Sequence, residues 1–344
     1  MELIKGVSFL LICLSLFSLF SAYAPKGRAA LGGLANAAVA SFLVEAVHSY
    51  ITGDFIGIAF LKETGVAAGS MGGPAAAILV CLALRVNPTL AVVSGIAVAG
   101  QSILPGFIAG YLCSFIALQL EKRLPEGVDM IAGALLVAPV SYLMATWSAP
   151  FVDSALAIIG GAISEATTQS PYIMGLLLGG IIKIVCTSPL SSMALTAILG
   201  LTGLPMGIAA IACVGGSFTN GIVFKRLKLG NDSQVAAIML EPLTQAPIVT
   251  ANALKIYSCN FFGGAMAGMG AVYFNIINNA PGTAAPIPGL LAPFAFNDPM
   301  NVVSALVVAV MGGTLAGYVG SSIHMRIKSE KEAGSLSTAM QPDC

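Results

Sequence analysis

Charge is what this chain has least of. Asp, Glu, Lys and Arg make up 9% of its 344 residues, against about a quarter in soluble domains. Basic and acidic side chains balance at 15 each, so there is no basic footprint and no nucleic-acid partner is expected. Only two histidines occur, His48 and His324, too few for a His-rich metal site. The seven cysteines, at 13, 81, 113, 186, 213, 259 and 344, form no CxxC pair and fall mostly inside apolar runs. That argues against a zinc or disulfide framework and for buried, inert thiols. A GxxxxGK[ST] phosphate loop is missing, which argues against an ATP-driven pump. No nucleophile–base constellation is visible either, so no catalytic residue, metal or cofactor is expected.

What remains is apolar. Hydrophobic residues make up 57% of the chain, mean hydropathy is +0.92, and the apolar runs reach membrane-spanning length. The fold class is therefore all-α: a polytopic membrane protein with about 10–11 transmembrane helices and re-entrant or broken segments. Thirty-nine glycines suit close helix packing in lipid.

In chain order, residues 7–23 form the first run, which imitates a secretory signal with Ala22-Tyr23-Ala24 as its cleavage site. Cleavage would leave Lys26 and Arg28 on an exported terminus, so an uncleaved helix is expected. Further spans are expected at about 29–50, 71–85, 88–103, 105–120, 130–150, 151–164, 171–185, 206–224, 259–277 and 301–323. Residues 51–70 read as an external amphipathic or re-entrant piece, and 278–299 as a Pro-rich external loop. Residues 1–328 then form the transmembrane domain and 329–344 a polar, disordered cytoplasmic tail. Eleven crossings from an external N-terminus put the C-terminus inside. Lys26/Arg28, Arg85, Lys122/Arg123, Lys225/Arg226/Lys228 and Arg326/Lys328/Lys331 then all face the cytoplasm, as the positive-inside rule requires. Two GxxxG pairs, Gly264/Gly268 and Gly313/Gly317, mark close helix contacts.

Residues 186–257 break this pattern. Pro189, Pro205, Pro242 and Pro247 interrupt apolar runs, and polar side chains gather at the breaks. Backbone freed there cannot face lipid, and discontinuous helices with polar tips are how transporters build solute sites. The candidate solute-binding residues are Glu241, Thr244, Gln245, Asn252, Asn220, Ser188, Ser191, Ser192 and Asn279, with Glu45 and His48, spaced i and i+3, on an earlier helix. Each has a plainer reading: the serines and asparagines as caps or backbone partners, Glu45 and His48 as an interfacial pair, Glu241 as the partner of Lys255. Lys183 and Lys255 read as snorkelling side chains near helix ends.

At SPLSSMALTAILGLTGLPMG, EPLTQAPIVTAN and INNAPGTAAPIPG, the chain resembles the perfringolysin O regulator-like proteins, placed among the type-2 enzyme IIC components of the bacterial sugar phosphotransferase system. Similarity extends over AYAPKGRAALGGLANAAVASFLVEAVHSYITGD and ILPGFIAGYL, hence nearly the whole chain. The resemblance implies a multi-pass permease of the bacterial inner (cytoplasmic) membrane, commonly a homodimer, carrying a sugar or similar hydroxylated solute. Phosphorylation would fall to separate IIA and IIB proteins, since no folded relay domain is fused here and Cys344 lies on too short a tail. An ion-coupled secondary transporter, with Glu45 or Glu241 as the coupling acid, and a membrane sensor acting through a partner are the alternatives.

Overall fold

The computed structural model describes residues 2–125 and 127–339, and all regular structure among them is helical. Helix α1 (Glu2–Tyr23) turns at Pro25 into α2 (Gly27–Ala38). That helix runs on as wider π-helical turns over Val39–Leu43 and Ala46–Phe55. Helix α3 (Ala59–Ser70) doubles back along the π-helical stretch, with Gly65 against Ser49 and Gly69 against the Glu45 carboxyl group. At Met71 the path bends by 57° into α4 (Gly72–Ala83). The piece expected as external or re-entrant is therefore one arm of a bent pair, a broken span or a re-entrant loop.

Helix α5 (Pro88–Ala97) starts on an Asn87 cap that accepts from the Thr89 N–H. Its ten residues rise about 15 Å, half a bilayer, and Gly95 stops beside Pro74 and Ile78. A turn at 98–102 leads into α6 (Ile103–Arg123), which runs parallel to α4: Gly106 meets Gly73 and Gly110 meets Ala77. The stretch expected to span at 88–103 thus holds a short helix that runs back along α4 and ends near Gly73, where α6 begins its return. Helix α7 (Val128–Thr167) is continuous through Pro139 and Pro150, so the expected spans 130–150 and 151–164 are one element. Losing one bond at Pro150 costs less in lipid than opening the whole backbone there.

The second half is a tight bundle of α8 (Pro171–Thr187), α10 (Gly203–Arg226), α13 (Ala253–Tyr273) and α15 (Pro299–Ala339). Helix α13 is antiparallel to α8, with Gly264 and Gly268 on Gly179 and Gly175. Helix α15 is parallel to α10, with Gly313 on Gly215 and Gly317 on Thr219. Both GxxxG contacts lie within one chain. Between these helices sit short pieces: α9 (Ser192–Ile198), α11 (Asp232–Leu240), a 3-10 turn at Pro242–Gln245 and α12 (Ala246–Ala251). The segment expected as an external loop folds inward. Its helix α14 (Pro286–Leu291) packs Gly289 on the Ala210 carbonyl, while Asn278 bonds Thr283 and the Ala280 N–H. Those bonds satisfy the groups that burial strips of water. Helix α15 also continues to Ala339, through residues expected to be disordered; Cys344 lies outside the described residues.

By length and composition six helices can cross a membrane, or seven with the bent pair α3–α4 counted as one span. Among the described residues that is fewer than eleven, because two expected spans merge and others are short or too polar. The basic clusters still share one end. Lys26 donates to the Leu84 carbonyl at 3.0 Å, Asn87 N–H to Glu121 at 2.9 Å, and Arg226 to Ser321 and Ser322. At the opposite end the Leu3 N–H donates to Glu165.

Candidate functional site

Four interruptions of the helical pattern meet around one cavity of about 300 Å³. The π-helical stretch contributes Glu45 and Tyr50, the α3–α4 bend Ser70 and Gly72, the turn before α6 Gln101 and Ser102, and the α8–α9 break Leu190 and Met193. Each lies where the backbone leaves α geometry, which aims side chains and free peptide groups at a common space rather than at lipid. Glu45 is half-buried and lies against Gly69, where a Cβ would come within 2.2 Å of its carboxyl carbon. His48 does not join it. The wider turn of the π-helix takes position i+3 off the shared face, and its Nδ1 lies 3.4 Å from Thr52 Oγ1 instead.

The floor of the cavity is the turn 188–192. Ser188 Oγ donates to the Val185 carbonyl and accepts from the Leu190 N–H. Ser191 adopts a left-handed φ of 58°, and Ser192 donates to the Ala284 carbonyl. All three serines therefore bind backbone around Pro189 or shape its turn.

Behind that turn lies a second, closed group where α8, α10, α13 and the 3-10 turn meet. Lys183 is 0% exposed, with its stem laid over Gly216 and Gly264. The position does not snorkel; it points into the bundle, and its Nζ has no hydrogen-bond partner. Glu241, 4% exposed, accepts from the Leu243 N–H through Oε1 at 3.3 Å, while Oε2 is unpartnered. Asn260 joins three helices by donating to Asn220 Oδ1 at 2.9 Å and Thr187 Oγ1 at 3.0 Å. Asn220 Nδ2, Asn260 Oδ1 and the Tyr257 hydroxyl are also buried without partners. Five such atoms on α8, α10, α13 and the residue before the 3-10 turn are many for a finished core, where each costs about 1–3 kcal/mol.

The remaining expected residues make local bonds, Gln245 to a side-chain hydroxyl and the others to backbone. Thr244 donates to the Glu241 carbonyl, Gln245 to Thr244 and Asn252 to the Ile248 carbonyl. Asn279 accepts from the Gly203 N–H at 3.1 Å and lines a separate pocket with Tyr50 and Asp54. Sequence reasoning undervalued Lys183 and overlooked Thr187, Asn260, Gln101 and Ser102. The available signal was Gly216 and Gly264, small residues that make room for a long side chain.

A family model described as "Phosphotransferase system, EIIC" matches residues 28–336. No curated protein and no solved structure matches the chain.

Proposed function

Since the chain belongs to the EIIC family of the phosphotransferase system, and is thus a sugar permease component of the membrane, we propose that its solute enters through the Glu45 cavity and moves to the Lys183–Glu241 group behind it. The observation that carries this reading is the meeting of four helix interruptions around one cavity large enough for a monosaccharide. The turn 188–192 borders both places: Leu190 and Met193 line the cavity, while Ser192 neighbours Cys186, which lies near Lys183. A carboxylate, an amide and hydroxyls are the groups that hydrogen-bond a sugar. In this reading the basic end faces the cytoplasm, where separate IIA and IIB proteins phosphorylate the solute and none of this chain's residues carries the phosphoryl group. The similarity to perfringolysin O regulator-like proteins and a homodimer through exposed apolar faces such as that of α7 belong to the same proposal.

The test is uptake of a sugar panel by vesicles holding the full chain, with and without IIA, IIB and phosphocarrier components. Uptake that depends on those components and falls at least tenfold in Glu45→Gln supports the reading. Full uptake by a well-folded Glu45→Gln protein places the entry elsewhere.

A further inference from the structure

The buried group has an unpartnered inventory. Lys183 Nζ brings three N–H donors, the unpartnered Asn220 Nδ2 two and the Tyr257 hydroxyl one. Against them stand the acceptors Glu241 Oε2 and Asn260 Oδ1, with two lone pairs each, and the Tyr257 oxygen itself. A neutral polyol, each of whose hydroxyls brings one donor and two acceptor lone pairs, could pair these groups but carries no charge. An oxyanion offers acceptors alone. The charge count separates the two, because a buried ammonium that stays charged is costly without a counter-charge in contact, and Glu241 does not hydrogen-bond it.

The cradle for that ammonium is built into neighbouring helices. A Cβ on Gly216 would fall 2.2 Å from Lys183 Cδ and Cε, and one on Gly264 would fall 2.5 Å from its Cβ. Two helices thus carry glycine where the Lys183 stem passes. Asn220 is held one turn beyond Gly216 by the Asn260 bond, which leaves its amide N–H groups free.

We propose that this group binds an oxyanion carried by the hydroxylated solute, a carboxylate or a phosphoryl group, with Lys183 as its counter-charge and Asn220 as its second donor. Glu241 Oε2 and Asn260 Oδ1 then accept from the solute's hydroxyls. The proposal rests on the reading that solute passes from the Glu45 cavity to this group.

The test uses the purified full chain in detergent, with equilibrium binding and thermal unfolding measured together. Probes are neutral sugars and polyols, the carboxylic acid and the 6-phosphate of each, and inorganic phosphate. Wild type should bind an acid or a phosphate at least tenfold more tightly than its neutral parent, and which of the two wins identifies the source of the oxyanion. Lys183→Met, similar in length but uncharged, should abolish that preference. It should also unfold at a higher temperature than wild type without ligand, because an unpaired charge has gone; binding lost together with stability would mark Lys183 as structural and overturn the proposal. Neutral parents bound as tightly as their anions, with Lys183→Met indifferent, would overturn it too. So would the absence of a shift with every anion, or phosphate binding that Lys183→Met leaves intact. In those cases tight neutral-sugar binding that Glu45→Gln still weakens would leave the entry route standing. Binding untouched by both Glu45→Gln and Glu241→Gln would remove the route itself.

Discussion

Replacing Gly313 by Ala tests how the bundle is held together. Its new Cβ would lie 1.9 Å from the Gly215 carbonyl oxygen. Ordinary contact begins near 3.4 Å, so α10 and α15 would have to part locally by about 1.5 Å. The obstacle is backbone, which has no rotamer to yield, and overpacking of this kind costs ~1–3 kcal/mol. Separation would also strain the bond from Thr219 Oγ1 to the Gly313 carbonyl, 2.8 Å long and worth ~1 kcal/mol. At about 2–4 °C per kcal/mol, the unfolding midpoint should fall by several degrees. Gly268→Ala and Gly264→Ala, with carbonyl oxygens at 2.2 and 2.3 Å, should behave alike. Gly161→Ala is the control. No atom lies within 4 Å of its Cβ position, and alanine favours a helix over glycine by up to ~1 kcal/mol. Heating followed by size-exclusion chromatography of the detergent-solubilised variants reads all four. A Gly313→Ala protein as stable as wild type, or a Gly161→Ala protein equally damaged, would refute the packing argument.

Reporter fusions after Lys228 and after Lys331 should both read cytoplasmic, since the basic clusters share one end; an external signal at either refutes that orientation. Glu241→Gln keeps an acceptor for the Leu243 N–H but removes the charge. It should weaken solute binding by ~1–3 kcal/mol with the unfolding midpoint unchanged or raised. Unaltered affinity in a folded variant would confine the solute to the Glu45 cavity.

The all-α membrane class was legible because apolar length and scarce charge report directly on the solvent. The breaks at Pro189 and Pro242 were legible for a similar local reason, as proline removes a donor and restricts its predecessor. Pro150 misled by the same rule: α7 passes through it, because neighbouring packing and lipid decide whether a break is worth its exposed backbone. Within the site, Glu45 and Glu241 stood out as acids in apolar runs. Thr187 and Asn260 did not, since their meaning lies in one bond across α8 and α13 between residues distant in sequence. The partner choice of an asparagine is a tertiary fact.

Lys183 shows why the two kinds of evidence had to be joined. In sequence it lies near the end of an apolar helix, where a lysine reaches for headgroups and adds nothing specific. That reading assumes α8 borders lipid around the lysine. Instead α10 and α13 close over that face, and Gly216 and Gly264 receive the side chain. A charge enclosed on all sides destabilises the empty protein unless some state supplies a partner. The adjoining turn at 188–192 borders the cavity, and it is held by serine-to-backbone bonds rather than by continuous helix. The costliest residue in the bundle thus sits behind its least regular wall, an arrangement that a permanently closed core would gain nothing by keeping.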